Sequence, residues 1–150
     1  MHCRSIICAE SIIIDVNSRK TSAFNLIEDT TSDSYPIAMP FMIYSTYEKS
    51  NNEEIDAPNI AIQITFNDQP LFAPIALNIN FKPTSRISKN VIHLGLLPIP
   101  SEGKLAIKIL FNDVPLRERD IMFKRSRVVQ EINFPEEGMT APAPDDQATS

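Results

Sequence analysis

The chain has 150 residues and contains no tryptophan, three glycines, two histidines and two cysteines. Each shortage excludes something. Gly95, Gly103 and Gly138 are too scattered to cradle a phosphate, and neither GxGxxG nor GxxxxGK(S/T) occurs. Two histidines and two cysteines leave little for a zinc site. Cys3 and Cys8 lie five apart in a strand-like segment, so period-2 alternation places them on opposite faces and predicts no disulfide. Unpaired thiols suit a reducing compartment. The opening MHCRSIICAESIIID has one early positive charge, Arg4, and its apolar stretch is interrupted by Glu10 and closed by Asp15, unlike a secretory signal. No apolar run approaches the roughly eighteen residues of a membrane helix. The expected location is therefore the cytoplasm.

What is present suits one packed domain: 43% hydrophobic residues, 22% charged residues and a formal charge of −5. Charge is uneven along the chain. Residues 1–75 hold 4 basic and 10 acidic side chains, net −6, while 76–150 hold 10 and 9, net +1. Neither half is basic enough to make nucleic acid the expected partner.

The dominant hydrophobic period is two. Segments 60–66 (IAIQITF), 77–81 (LNINF) and 105–111 (LAIKILF) alternate bulky apolar with small or polar residues, as a half-buried antiparallel strand requires. Weaker runs of the same kind span 4–16, 22–28, 37–47, 89–97 and 121–125. No twelve-residue window carries an apolar stripe at helical spacing. The turns agree: Asn17-Ser18-Arg19-Lys20 predicts a tight hairpin, and Asn67-Asp68 and Asn112-Asp113 follow strands ending in phenylalanine. Pro36 and Pro40 flank the start of the third strand, where a missing N–H suits an edge or a strand end. Residues 49–58 (KSNNEEIDAP) read as an acidic surface loop, and 97–103 as an extended apolar crossover ending in a turn. Residues 128–134 offer a ninth strand, and 135–150 read as a disordered, acidic, proline-rich tail.

One internal echo crosses this pattern. IQITFNDQPL at 62–71 and IKILFNDVPL at 107–116 share the frame Ile-x-Ile-x-Phe-Asn-Asp-x-Pro-Leu. Both predict a strand, a turn and a return strand. Convergent turn chemistry and ancient duplication both account for the likeness.

Candidate chemistry is sparse. His93 alternates with Ile92, Leu94 and Leu96, so it is expected on the face opposite them, with no GxSxG elbow or nucleophile context nearby. Glu28, Asp29 and Asp33, with Glu48, Glu53, Glu54 and Asp56, are loop acids that a sandwich can gather at one end to hold a hard cation, although no DxDxDG spacing occurs. Arg117, Arg119, Lys124, Arg125 and Arg127 form the one basic cluster, here taken as a candidate interaction edge. Arg117, Arg119 and Arg125 share strand parity with Ile121 and Phe123, which places them at strand ends beyond the core. There they would guard an edge strand or meet an anionic partner. The surplus apolar residues Leu97, Ile99, Val128, Val129, Ile132 and Phe134 pack into a core or, where exposed, dock a partner.

With the strands and turns placed, the chain resembles an uncharacterised bacterial family of small all-β proteins, a domain of unknown function. The residues that carry the likeness are Cys8-Ala9-Glu10-Ser11, the hairpin at 15–20 (DVNSRK), segment 22–28 (SAFNLIE), Tyr35-Pro36-Ile37 and the Gly95-Leu96, Ile99-Pro100, Gly103 stretch. It spans roughly residues 3–125. The resemblance implies the fold, a bacterial origin and a cytoplasmic place, and brings no activity or site residues.

The combined expectation is an antiparallel β-sandwich, immunoglobulin-like or C2-like, of about seven to nine strands over residues 1–134. Every strong signal concerns packing or turns, so the expected role is a non-enzymatic structural or protein-interaction module. Its expected partner is a protein, self or other, with no cofactor. The alternative is a sandwich binding a small ligand or cation through loops at one end, with Tyr35, Tyr44 or Tyr47 lining a pocket. An enzyme would need His93 or carboxylates converging in a cleft.

Overall fold

The computed structural model describes residues 1–50 and 59–127. The expected ninth strand over 128–134, the tail at 135–150 and most of the acidic loop lie outside these. Ten strands follow in order: β1 (His2–Ile14), β2 (Thr21–Leu26), β3 (Thr30–Ser32), β4 (Ile37–Glu48), β5 (Ile60–Phe66), β6 (Gln69–Pro70), β7 (Ile75–Leu77), β8 (Ile87–Ile99), β9 (Gly103–Phe111) and β10 (Val114–Arg125). They form an all-β sandwich. One sheet has the order β2-β1-β4-β8, and the other β3-β10-β9-β5-β6, with β7 also paired to β5. All pairings are antiparallel except β3 with β10, a three-residue parallel contact that departs from the purely antiparallel expectation.

The core is built from one face of each sheet. Ile6, Phe41, Ile43, Tyr47 and Ile92 from the first meet Ile62, Ile64, Leu105, Ile107, Ile109, Ile121 and Phe123 from the second, all in one buried cluster. Alternation explains most of this set, and backbone bulges explain the exceptions. The β1–β4 register shifts between Cys3 and Ser5, so the extra residue resets parity and both cysteines enter the same core instead of facing opposite sides. The thiols remain unpaired. A second shift, where Phe41 pairs with Gly95 and Met42 with His93, flips β8 in the same way. Gly95 holds φ 71, a left-handed conformation that suits glycine. Leu97 and Ile99 therefore face inward, while Leu96, expected beside Ile92, is 67% exposed. The supposed crossover at 97–99 is the end of β8, paired with Ile37–Met39 of β4.

Segment 77–81 departs differently. Strand pairing ends at Leu77, yet Leu77 and Ile79 stay buried. Inward alternation outlasts the ladder because burial, not pairing, sets it. Pro40 sits inside β4, but β1 pairs only as far as Met42, so the proline lies where that side of β4 has lost its neighbour.

The repeated Phe-Asn-Asp turns are equivalent. Asn67 and Asp68 have φ 48 and 64, and Asn112 and Asp113 have φ 48 and 63. Positive φ at both central residues is the type I′ hairpin turn, whose twist matches the flanking strands, and Asn and Asp tolerate it better than other non-glycine residues. The two turns differ in one respect. The Asn67 side chain also accepts the Lys104 N–H at 2.9 Å and lies over Gly103, where an added Cβ would collide with it. Asn67→Ala should therefore destabilise the protein by about 1 kcal/mol more than Asn112→Ala, as read from urea unfolding midpoints.

Candidate functional site

The basic cluster divides into groups with different surroundings. A register shift between Pro115 and Arg117 sets Arg117 opposite Ile109 and Arg119 opposite Ile107, both core residues. The two arginines thus project toward the other sheet from within the strand, correcting their expected place at strand ends beyond the core. Arg117 Nη1 donates to the carbonyls of Arg4 (2.7 Å) and Cys3 (3.4 Å), and Arg119 Nη1 to that of Ile6 (3.2 Å). β2 pairs β1 only from Ala9 onward, so these carbonyls lie along a stretch of β1 with no strand on that side among the described residues. The arginines supply the donors that a strand would have supplied.

The others lie elsewhere. Lys124 Nζ meets Asp29 at 3.8 Å, and the Arg125 backbone N–H donates to Glu102. β3 covers β10 from Phe123 to Arg125, so that part is not an edge. Arg127 is exposed.

The remaining candidates separate similarly. His93 is exposed on the outer face of β8. Asp29 accepts the Met122 N–H, and Glu48 meets His2, Arg4 and Arg86. Glu53, Glu54 and Asp56 lie outside the described residues, among which no group of three His, Cys, Asp or Glu is placed to hold a metal ion. The tyrosines lie apart from one another: Tyr47 is in the core, Tyr44 is buried with Ala9 and Ile12, and the Tyr35 hydroxyl donates to the Lys124 carbonyl.

Two features escaped the sequence reading, and both arise from the β1–β2 hairpin. Beyond Ala9, β1 leaves β4, and the hairpin lies across the outer face of its own sheet. Ile12 packs with Tyr44, Met42 and Val91, and its N–H approaches Met42 Sδ at 3.3 Å. The tip reaches β8, where Lys89 Nζ donates to the Arg19 carbonyl at 3.3 Å. Between this tip and the start of β8 is a cleft of about 500 Å³, lined by Ile14, Arg19, Lys82, Ser85, Ile87 and Lys89, with Asn80 and Ser88 also contributing. The second feature is the hairpin's other face. Cross-strand pairs put Ile13, Phe24 and Leu26 on one side, and they are 55%, 52% and 57% exposed. Phe24 and Leu26 at alternate positions of so short a strand are the signal the sequence offers, but alternation alone does not reveal which face a neighbour covers.

No family model and no curated protein matches the chain. Among the described residues, no helix is long and apolar enough to cross a membrane.

The buried nucleophiles are held in their neutral forms. Burial pushes the Cys8 thiol up from 9.0 to about 12, only partly offset by Arg119, and raises Cys3 against the opposing pull of Arg117. Burial likewise pushes the Tyr47 phenol up from 10.0 to about 12, although it accepts a hydrogen bond from Ser45. Such thiols are inert as nucleophiles. The raised folded values mean that the unfolded chain releases these protons first. Their contribution to stability is fully present below about pH 9 and is lost as pH rises toward 12. Urea midpoints across that range should show the decline, with a shallower slope in Cys8→Ala. In a separate test, Arg119→Ala should cost about 1–3 kcal/mol by leaving the Ile6 carbonyl without its donor. Arg127→Ala should stay within about 0.5 kcal/mol of wild type in the same denaturation assay.

Proposed function

We propose that the chain is a non-enzymatic interaction module that associates with a second copy of itself through β2. The observation that carries this reading is the character of the edge. β2 is the outer strand of its sheet and reads Thr-Ser-Ala-Phe-Asn-Leu, with neither charge nor proline. The other long margins are defended. β8 carries Lys89, His93 and Pro98, and the uncovered part of β10 carries Pro115, Arg117, Glu118, Arg119 and Asp120. Among the described residues, β2 is the only edge longer than three residues that lacks such defences, which ordinarily prevent edge-to-edge pairing.

The chemistry of that edge favours a like partner. A partner recognised by charge would need a charged edge to read, whereas two neutral edges approach without the repulsion that the chain's net −5 otherwise creates. Asn25, at φ 53, interrupts the regular backbone and confines main-chain pairing to the stretch before it. Ile13, Phe24 and Leu26 add the apolar contact that so short a ladder needs. The family resemblance and its bacterial, cytoplasmic setting belong to the same reading, and an interaction role needs no convergent catalytic cluster.

Sedimentation velocity over a concentration series tests the proposal. Wild type should form a dimer. Phe24→Lys should be monomeric with an unchanged thermal midpoint, since the side chain is half exposed. A wild-type protein that stays monomeric into the millimolar range overturns the reading, and so does a dimer that survives Phe24→Lys.

A further inference from the structure

We propose that the cleft between the β1–β2 turn and the start of β8 binds a small organic phosphomonoester. The inference is independent of pairing through β2. Its first support is charge. Arg19, Lys82 and Lys89 converge on a cleft whose lining, among the described residues, contains no carboxylate, in a chain whose net charge is −5. General basicity therefore does not account for the grouping, and a cationic concavity concentrates anions.

Among the described residues, the nearby acids are engaged elsewhere. The Asp15 carboxylate accepts the backbone N–H groups of Asn17 (2.9 Å) and Ser18 (2.6 Å), which hold its pKa below the ordinary aspartate value. Glu48 is held by His2, Arg4 and Arg86. Among the described residues, neither the Arg19 guanidinium nor the Lys82 ammonium has an ion-pair partner. Lys89 uses one donor on the Arg19 carbonyl, leaving two of the three donors of an ammonium.

The walls are held in place before any ligand arrives. Arg19 sits at φ 58, its N–H donates to the Asp15 carbonyl at 2.9 Å, and its own carbonyl is gripped by Lys89. Ser85 Oγ accepts the Ile87 N–H and donates to the Ile87 carbonyl, while Ser88 Oγ donates to the Asn80 carbonyl. Thr21, the cross-strand partner of Ile14 and so on the same hairpin face, has a buried hydroxyl oxygen with no hydrogen-bond partner.

Size and polarity then narrow the ligand. A volume of about 500 Å³ lies in the range of small-molecule sites and is far more than a bare phosphate fills. Ile14 and Ile87 provide apolar wall for the remainder. A forked guanidinium with two ammonium groups suits a phosphate's several acceptor oxygens. The anionic head is thus assigned to Arg19, Lys82 and Lys89, and the organic body to Ile14 and Ile87.

Calorimetric titration with phenyl phosphate and with inorganic phosphate, at matched ionic strength, tests this assignment. Wild type should bind both saturably at one site, phenyl phosphate more tightly. Arg19→Gln and Lys82→Gln should each weaken both probes by about tenfold. These side chains are exposed and have no ion-pair partner among the described residues, so thermal unfolding should not move. Ile87→Ser should bring phenyl phosphate down to the level of inorganic phosphate without changing the latter. Lys104→Gln, whose ammonium meets Asp120 on the other sheet, should leave both affinities intact. No saturable binding of either probe overturns the proposal, as does wild-type affinity in the Arg19 and Lys82 variants. Equal affinity for the two probes in wild type overturns the phosphomonoester assignment.

Discussion

A strand that has lost its neighbour still has carbonyls that need donors, and β1 meets this constraint twice. Along its first half, no strand among the described residues pairs with it on the side away from β4. Arg117 and Arg119 reach across from the opposite sheet to the carbonyls of Cys3, Arg4 and Ile6. From Ala9 onward, β2 takes over that role while β4 drops away. The exchange of partners lets the hairpin leave the plane of its sheet and lie over the sheet's outer face. Both surface features of interest follow: the cleft beneath the tip and the apolar face on the hairpin's far side.

The two outer faces of the sandwich show how this affects exposure. On the six-stranded sheet, Lys104 meets Asp120 and Lys108 meets Glu118, an arrangement of neighbouring opposite charges open to water. Exposed pairs of this kind contribute little stability but keep a sheet face soluble. On the four-stranded sheet, the outer face carries Met42, Tyr44 and Val91, which the hairpin covers through Ile12. Covering one apolar face with an element only one layer thick leaves that element's own far face open. Ile13, Phe24 and Leu26 are exposed for this reason.

Much of the architecture was readable from alternation and turn chemistry. The segments at 60–66 and 105–111 became core strands, and both Asn-Asp pairs adopt positive φ at both positions. The misreadings share a cause. Counting residues sets Cys3 opposite Cys8 and Ile92 beside Leu96, and a single bulge between the counted positions reverses such an assignment. Gly95 was visible as a glycine, but nothing local shows that its left-handed backbone absorbs an extra residue there. The arginines illustrate the same limit. They keep parity with Ile121 and Phe123, yet parity does not reveal that an unpaired strand edge lies opposite them.

The amino-acid sequence alone determined an all-β chain with its main strands, tight hairpin turns and a core dominated by isoleucine. These depend on interactions between residues close in the chain or on a period repeated along it. Only the tertiary structure decided where Arg19, Lys82 and Lys89 meet, which carbonyls Arg117 and Arg119 satisfy, and which edge is left undefended. Arg19 and Lys89 come from separate elements, brought together by a hairpin crossing its own sheet. That crossing follows from where β1 changes partners, a choice made by the sum of long-range packing and recorded in no local pattern.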